Sequence, residues 1–291
     1  MRQELSGILR CPACGEAIVP RGDALLRCDR GHEFHVVDGV PDLVYPRALL
    51  SSDAEFREKY DTGAQAYDVG MRWLFGSFYE NEEQVRSSMA DLLGLQPGAR
   101  VLEISSGSGS DSLQILRRIG SGGWLVATDL SRGMLEVARG RLREHASSMS
   151  FVQCNGSYLP FAGGVFDAVF HFGGINEFSE KERAVAEMAR VAKVGGRVVF
   201  GDESVPPWLR ETTFGRVLMN ANKLYKHTPP LDALPETARN VQMTWTLGGV
   251  FYLIAFDVGS GPPPVDLDLP IPGKGDSLRS RFERAFPGET L

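Results

Sequence analysis

VLEISSGSGSD, Val101 to Asp111, decides the reading of this 291-residue chain. A short apolar run, ARVLEIS (99–105), ends in a Gly-rich turn, and the helix-patterned DSLQILRRI (111–119) follows it. Strand, glycine turn and helix N-terminus in that order form a nucleotide site, because backbone N–H groups converge there. Gly107 and Gly109 alone are weak evidence, since Ser112 stands where a dinucleotide fingerprint has its third glycine. Glu103 is more telling. A carboxylate at the end of the first strand would oppose a pyrophosphate, and it suits a cofactor that carries positive charge and no phosphate.

S-adenosylmethionine is such a cofactor, with a sulfonium and an amino group. Outward from the turn, GGWLVATD (122–129) predicts a second strand, and its last residue, Asp129, can accept both ribose hydroxyls. In SRGMLEVARGRLREH (131–145), Met134, Leu135, Ala138 and Leu142 fall at helical spacing. MSFVQC (149–154) and GVFDAVFHF (164–172) predict the third and fourth strands. EKERAVAEMARVAK (180–193) predicts a helix closed by Gly195-Gly196, and RVVFGDE (197–203) a fifth strand. This alternation implies a mostly parallel sheet covered on both faces. After the third strand, Asn155 can pair with an adenine edge, with Gly156 leaving its N–H accessible.

Three further pieces flank this one. In residues 1–47, Cys11-x2-Cys14, thirteen intervening residues and Cys28-x3-His32 make zinc-site spacing. A segment this small cannot fold on its own core, and structural zinc supplies about 10–16 kcal/mol of apparent binding energy. His35 is a rival fourth ligand, although EFHVVDGV (33–40) alternates like a strand. Residues 48–95 are polar and then helical, starting with an N-cap-like Ser51-Ser52-Asp53. Tyr60 and Tyr67, seven apart, share a helix face. Residues 206–291 begin with a helix-like 207–225, continue as a hairpin turning at Gly248-Gly249, and end in a Pro/Gly-rich tail.

Four stretches, VLEISSGSGSD, ATDLSRGMLEVAR (127–139), YLPFAGGVFDAV (158–169) and RVAKVGGRVV (190–199), resemble successive motifs of class I S-adenosylmethionine-dependent methyltransferases. They are most similar to the quinone-biosynthesis C-methyltransferases, as is FHFGGIN (170–176) after the fourth strand. The resemblance implies an α/β fold: a Rossmann-like seven-stranded sheet, parallel with a C-terminal antiparallel hairpin, plus the zinc ribbon. It implies that Ser105, Gly107 and Gly109 line the methionine moiety, Ser105 replacing the usual first glycine. Asp129 would hold the ribose, Leu130 and Met134 would flank the adenine, and Asn155 with Gly156 would read its edge, where the family more often has aspartate. Tyr67, Glu103 and His171 complete the expected cofactor-binding set. Residues 1–47 are similar to the zinc ribbons of 23S rRNA guanine methyltransferases and to the small zinc-ribbon partner of tRNA methyltransferases.

Methyl transfer needs positioning above all, and a base only where the acceptor must lose a proton. His171, Glu177 and Glu203, at or after the ends of the fourth and fifth strands, are the candidate catalytic groups. His171 is either a base titrating near neutrality or a residue that shapes the cofactor pocket. Glu177 faces substrate or caps the helix after it. Cys154 is expected to be a buried small residue near the adenine. Tyr60, Tyr67, Trp73, Phe75, Trp208, Phe251 and Tyr252 suggest an aromatic lid.

A net charge of −6 argues against nucleic acid as the main partner, since each phosphate contact needs a cation. The ribbon itself carries six arginines against seven acids. No 18-residue apolar run and no secretory leader are present, so the expectation is a cytoplasmic protein with no membrane insertion. The leading expectation is C- or O-methylation of a hydrophobic small molecule: a quinol precursor, polyketide or aromatic metabolite. The alternatives are guanine methylation in rRNA, which the ribbon would favour, and a non-catalytic scaffold. The sequence does not give the oligomeric state.

Overall fold

The apolar runs of 100–203 lack strict alternation because their strands are buried on both faces. Val101, Leu102, Leu125, Val126, Val169, Val198 and Phe200 are all fully shielded. The computed structural model describes residues 2–289. Its N-terminal piece holds α1 (Gln3–Ile8) and four short strands, β1 (Ile18–Pro20), β2 (Leu25–Cys28), β3 (Glu33–Val37) and β4 (Val40–Pro41). Three helices follow: α2 (Ser51–Gly63), α3 (Tyr67–Ser77) and α4 (Glu82–Asp91). The core then alternates β5 (Arg100–Ile104), α5 (Ser110–Ile119), β6 (Trp124–Asp129), α6 (Arg132–Arg141), β7 (Met149–Gln153), β8 (Phe166–Phe172), α7 (Lys181–Val191) and β9 (Ala192–Glu203). The chain closes with α8 (Thr213–Ala221), β10 (Ala238–Thr246), β11 (Phe251–Val258) and α9 (Leu278–Ala285).

The large sheet has seven strands in the order β10-β11-β9-β8-β5-β6-β7. β5 to β9 run parallel, and β11 is antiparallel to both β9 and β10. The expected fold class is therefore the observed one, including the second, antiparallel four-stranded sheet. The order reverses beside β5, so the C-terminal ends of β5, β6 and β8 open a crevice there. No helix among the described residues is long and apolar enough to cross a membrane.

The ribbon has no separate core. Leu5, Leu9, Cys11, Leu26, Phe34 and Leu43 pack in one cluster with Leu102, Val126, Val152 and Phe161 of the large sheet's layer. Backbone bonds cross the seam: Arg10 N–H donates to Pro160 O (2.9 Å), Ala162 N–H to Ile8 O (2.9 Å) and Leu43 N–H to Gln153 O (2.8 Å). Residues just past β4 thereby run parallel beside β7 and cover the outer edge of the large sheet.

Local details depart from the sequence expectations in three places. Gly195-Gly196 do not close α7; the helix ends at Val191, and both glycines lie inside β9, where register shifts against β8. A Cβ at Gly196 would sit 2.9 Å from Lys193 O and 3.0 Å from Asp167 O, so this bulge needs glycine. The N-cap of α2 is Leu50, and Asp53 spends its carboxylate elsewhere. Residues 207–225 break into a 3₁₀ turn, α8 and a second turn, because Asn222 leaves the helix and its side chain accepts from Leu224 N–H.

Candidate active site

A cavity lies over the C-terminal ends of β5, β6, β8 and β9, with α2 and α3 among its walls. The turn after β5 forms one wall. Ser105 sits there with φ 52°, in the left-handed region that normally takes glycine, and Gly107 follows at φ 53°. Ser105 therefore carries backbone strain at the cavity wall.

One end of the cavity is strongly polar. Arg86, only 5% exposed, pairs with Asp111 at 2.6 Å and stacks its guanidinium on Phe75 at 5.2 Å. Asp111 Oδ1 is buried with no hydrogen-bond partner. Arg86 also pairs with Glu82 at 2.8 Å, so one cation and two carboxylates meet beside the cavity here. In the middle, Asp129 accepts from Gly107 N–H and Ser131 N–H, both at 2.9 Å. Burial pushes its carboxyl up to about 6. Tyr67 lines the wall beside Gly107, its ring 3.8 Å from where a Cβ would stand, and Leu130 and Met134 complete this stretch.

The other end is apolar with two acids. Phe56, Met71, Leu74, Phe172, Phe178, Leu224 and Phe251 line the same cavity as Glu177 and Glu203. Glu177 is 7% exposed; Tyr60 OH donates to it at 3.1 Å and Lys59 lies 3.5 Å away. Burial pushes its carboxyl up to about 7. Glu203 is held well above the usual carboxylate range by burial and by neighbouring Asp202. Asp202 is fixed by the backbone N–H groups of Gly174 (3.1 Å), Asn176 (2.7 Å) and Glu203 (2.8 Å). Glu177 does not cap α7, whose N-cap position is Glu180.

Three aspartates from the roof reach the loops beneath. Asp53 accepts from Ser179 N–H (3.0 Å) and Oγ–H (2.8 Å) and from Asn155 Nδ2 (3.3 Å). Asp61 accepts from Ser131 Oγ–H (2.6 Å) and Gly133 N–H (3.0 Å). Asp68 accepts from Ser108 Oγ–H (2.6 Å) and from Arg141. Among the described side chains of α2 only Asp53 is buried, so polar latches rather than a core hold this helix down.

Five expected site residues stand outside the cavity lining. Glu103 is buried behind the turn, where Ser112 Oγ–H donates to it and burial holds its carboxyl well above the usual range. Its carboxyl therefore faces α5. Gly109 faces α6, with a Cβ placed 2.8 Å from the Leu142 side chain. Asn155 already spends its carbonyl on Ser157 N–H (2.9 Å) and its amide on Asp53. Gly156 is required by packing, since a Cβ would lie 2.6 Å from Phe178. His171 is fully buried, its Nδ1 paired with Ile104 O (3.0 Å) and its ring tilted against Phe178. Burial lowers its pKa, which keeps it neutral and suits a shaping role better than a base.

Of the expected aromatic lid, Tyr60, Tyr67 and Phe251 line the cavity. Trp73 and Trp208 face solvent, while Phe75 and Tyr252 are core. Tyr60 and Tyr67 meet edge to face at 6.1 Å across a break in the helix at 64–66. Cys154 is buried in the core. Asp53, Arg86 and Asp111 also line the cavity and were not expected there: Asp53 and Arg86 sit in polar helical runs that read as solvated faces, and Asp111 in the first turn of α5.

In the ribbon, the ligand atoms of Cys11, Cys14, Cys28 and His32 lie within 4.8 Å of one another. Cys14 and Cys28 sulfurs are 3.8 Å apart, and His32 Nδ1 lies 3.5 and 3.4 Å from the sulfurs of Cys11 and Cys28. Those separations are the edges of a tetrahedron with Zn–S of about 2.3 Å and Zn–N of about 2.0–2.1 Å, so the donors fit zinc. His35 is exposed on β3 and outside this cluster.

The strand order, the glycine turn and the carboxylate ending β6 are those of the methyltransferase variant of the Rossmann-like fold. Residues 52–210 match the ubiE/COQ5 methyltransferase family, and the chain belongs to that family. Similar curated relatives include the ubiquinone/menaquinone biosynthesis C-methyltransferase UbiE of Cellvibrio japonicus. It is 37% identical over 115 residues, 39% of this chain and 46% of that protein. The demethylmenaquinone methyltransferase of Beutenbergia cavernae is 33% identical over 171 residues, 56% of this chain and 64% of that protein. The chain thus spans about half the length of the curated relatives it matches. Among solved structures, an S-adenosyl-L-methionine-dependent methyltransferase structure from Methanococcus maripaludis aligns with TM-score 0.52 at 18% identity, covering 70% of this chain and 95% of that one. A chain from the complex of the Haloferax volcanii Trm112 methyltransferase activator with a methyltransferase aligns with TM-score 0.51 at 16% identity, covering 70% and 97%. These likenesses concern the fold.

Proposed function

We propose that this protein transfers a methyl group from S-adenosylmethionine to a ring carbon of a hydroxylated aromatic acceptor of the quinol-precursor type. The single observation that carries the reading is one cavity lined both by the charged Arg86, Asp111 and Asp129 and by apolar side chains with two further acids, Glu177 and Glu203. When bound, the cofactor supplies an electrophilic methyl group. Arg86 and Asp111 hold the amino-acid end, Asp129 the ribose hydroxyls, and Leu130 and Met134 flank the base. Asp53, whose oxygens already serve Ser179 and Asn155, keeps a carboxylate at the base end where Asn155 lacks one.

Phe172, Phe178 and Phe251 form the walls for a flat apolar acceptor and exclude water from it. Glu177, poised near neutrality, takes the proton of an acceptor hydroxyl and raises electron density on the ring; the hydrogen of the methylated ring carbon leaves as a proton to solvent when the ring regains aromaticity. Glu203, whose carboxyl burial and Asp202 hold above the usual range, lines the acceptor's place beside Glu177. Lys59 and Tyr60 hold Glu177 in place. The four ribbon donors hold a structural zinc ion, with no open position for chemistry.

The test is incubation of the purified chain with methyl-labelled S-adenosylmethionine and a panel of hydroquinones and naphthoquinols, with RNA as the parallel acceptor. Label on a ring carbon supports the reading. Label in RNA, or none in any acceptor despite cofactor binding, refutes it.

A further inference from the structure

The ribbon reaches the cofactor loop by two routes. Gln153, at the end of β7, is 3% exposed and works in both directions. Its carbonyl accepts from Leu43 N–H of the ribbon exit, and its side-chain Nε2 donates to Leu130 O at 3.0 Å. Arg132, in the first turn of α6, donates Nη2 to Val37 O and to Asp38 Oδ2, both at 3.0 Å, at the β3–β4 turn of the ribbon. Both routes end within three residues of Asp129. The segment between them, Asp129 to Ser131, carries the carboxylate, the apolar side chain and the helix cap that line the cavity.

The metal donors sit where this bracing originates. Cys28 ends β2 and His32 immediately precedes β3, so a bound ion ties β2 to the start of β3, the strand whose far end leads into the Val37–Asp38 turn. Cys11 and Cys28 are themselves buried in the cluster shared with Trp124, Val126 and Val152 of β6 and β7. Loss of the ion removes the crosslink from a piece that has no other core.

We infer that the ribbon is a positioning module for the cofactor: folded around its metal, it braces the Asp129–Ser131 loop and so sets the affinity for S-adenosylmethionine. This rests on the cofactor and zinc readings above, and it makes Arg132 and Gln153 positioning residues that never touch the cofactor. A ribbon serving only as an acceptor-recognition arm would leave that loop unaffected.

The experiment uses the full chain, with zinc content measured first and hydrogen exchange followed in the peptide containing 129–135. Exchange needs no bound cofactor, so the bracing is tested even if S-adenosylmethionine does not bind. Cys14→Ser, which cannot hold the ion as a four-donor site, is expected to speed exchange in that peptide while β8 and β9 keep their protection. Its cofactor Kd should rise about tenfold, and that of zinc-loaded Arg132→Ala about threefold, in the range of indirect coupling through packed networks. For Arg132→Ala the cofactor KM rises with kcat unchanged, and Arg132→Lys restores part of the loss. Unchanged exchange and unchanged affinity in both variants overturn the inference. A purified chain without zinc overturns the metal reading alone, and Arg132→Ala then decides the bracing.

Discussion

Replacing Glu177 with glutamine keeps the size of the side chain and removes its titration. In the folded protein this carboxyl is pushed up from 4.5 to about 7 by burial, so the folded state holds a proton that the unfolded chain releases. Stability attributable to the group is therefore present at low pH, declines as pH rises from the unfolded value to the folded one, and stays lost above it. The loss approaches about 3 kcal/mol well above neutrality. Glutamine escapes it. It still accepts from Tyr60, and the attraction of Lys59 that it forgoes is weak because Lys59 is 56% exposed. Allowing for relaxation around a buried charge, we expect Glu177→Gln to gain about 1–2 kcal/mol at about pH 8.5, or roughly 2–6 °C in Tm. The gain should shrink towards zero at about pH 5. Methyl transfer should fall about 10²–10⁴-fold, the range for a general base, and wild-type kcat/KM should rise with pH through about 7. Thermal melts at both pH values and labelled-methyl assays supply the comparison. A variant no more stable at high pH, or within threefold of wild-type rate, would refute the reasoning.

Asp129→Ala should weaken S-adenosylmethionine binding by about 1–3 kcal/mol, the scale for hydrogen bonds to a charged acceptor; calorimetry showing unchanged affinity removes the ribose assignment. Ser105→Gly should be neutral or stabilising by up to about 1 kcal/mol, because relief of left-handed strain outweighs the added unfolded-state freedom. Chemical denaturation showing a clear loss would mean that the Ser105 side chain has a role of its own. Gly156→Ala should cost about 1–3 kcal/mol by overpacking against Phe178. Its readout is a lower denaturation midpoint with displaced Phe178 resonances, and wild-type values for both would mean that the loop yields freely.

The fold was legible because burial on both faces leaves a signature. Strands such as Arg100–Ile104 and Trp124–Asp129 are short, mostly apolar runs with glycines nearby, and the helices between them carry apolar residues at helical spacing. Ser105, Gly107, Asp129 and Leu130 follow strand ends directly and Met134 sits in the first turn of the next helix, so their places at the cavity wall are legible in the sequence. Glu103, Gly109, Asn155 and Gly156 stand outside that lining because of contacts that no local pattern shows. Ser112, Leu142 and Phe178 pack against Glu103, Gly109 and Gly156, and Asp53 holds the Asn155 amide from the roof. Arg86 and Asp111 were invisible because an ion pair formed between two helices, one outside the core motif, leaves no local pattern. Asp53, Asp61 and Asp68 escaped likewise, since acids on a polar helix ordinarily mean solvent.

The seam between Leu43 and Gln153 also bears on solubility. Strand β7 is the last of its sheet, and an uncovered terminal strand offers its N–H and C=O groups to any chain that can pair with it. Here the ribbon exit occupies part of that edge while Leu9, Phe34 and Leu43 cover apolar side chains beside it. A chain begun at residue 48 would keep every cavity-lining residue. It would nonetheless lay bare a sticky strand and the oily layer next to it, and intermolecular aggregation would be its dominant fate.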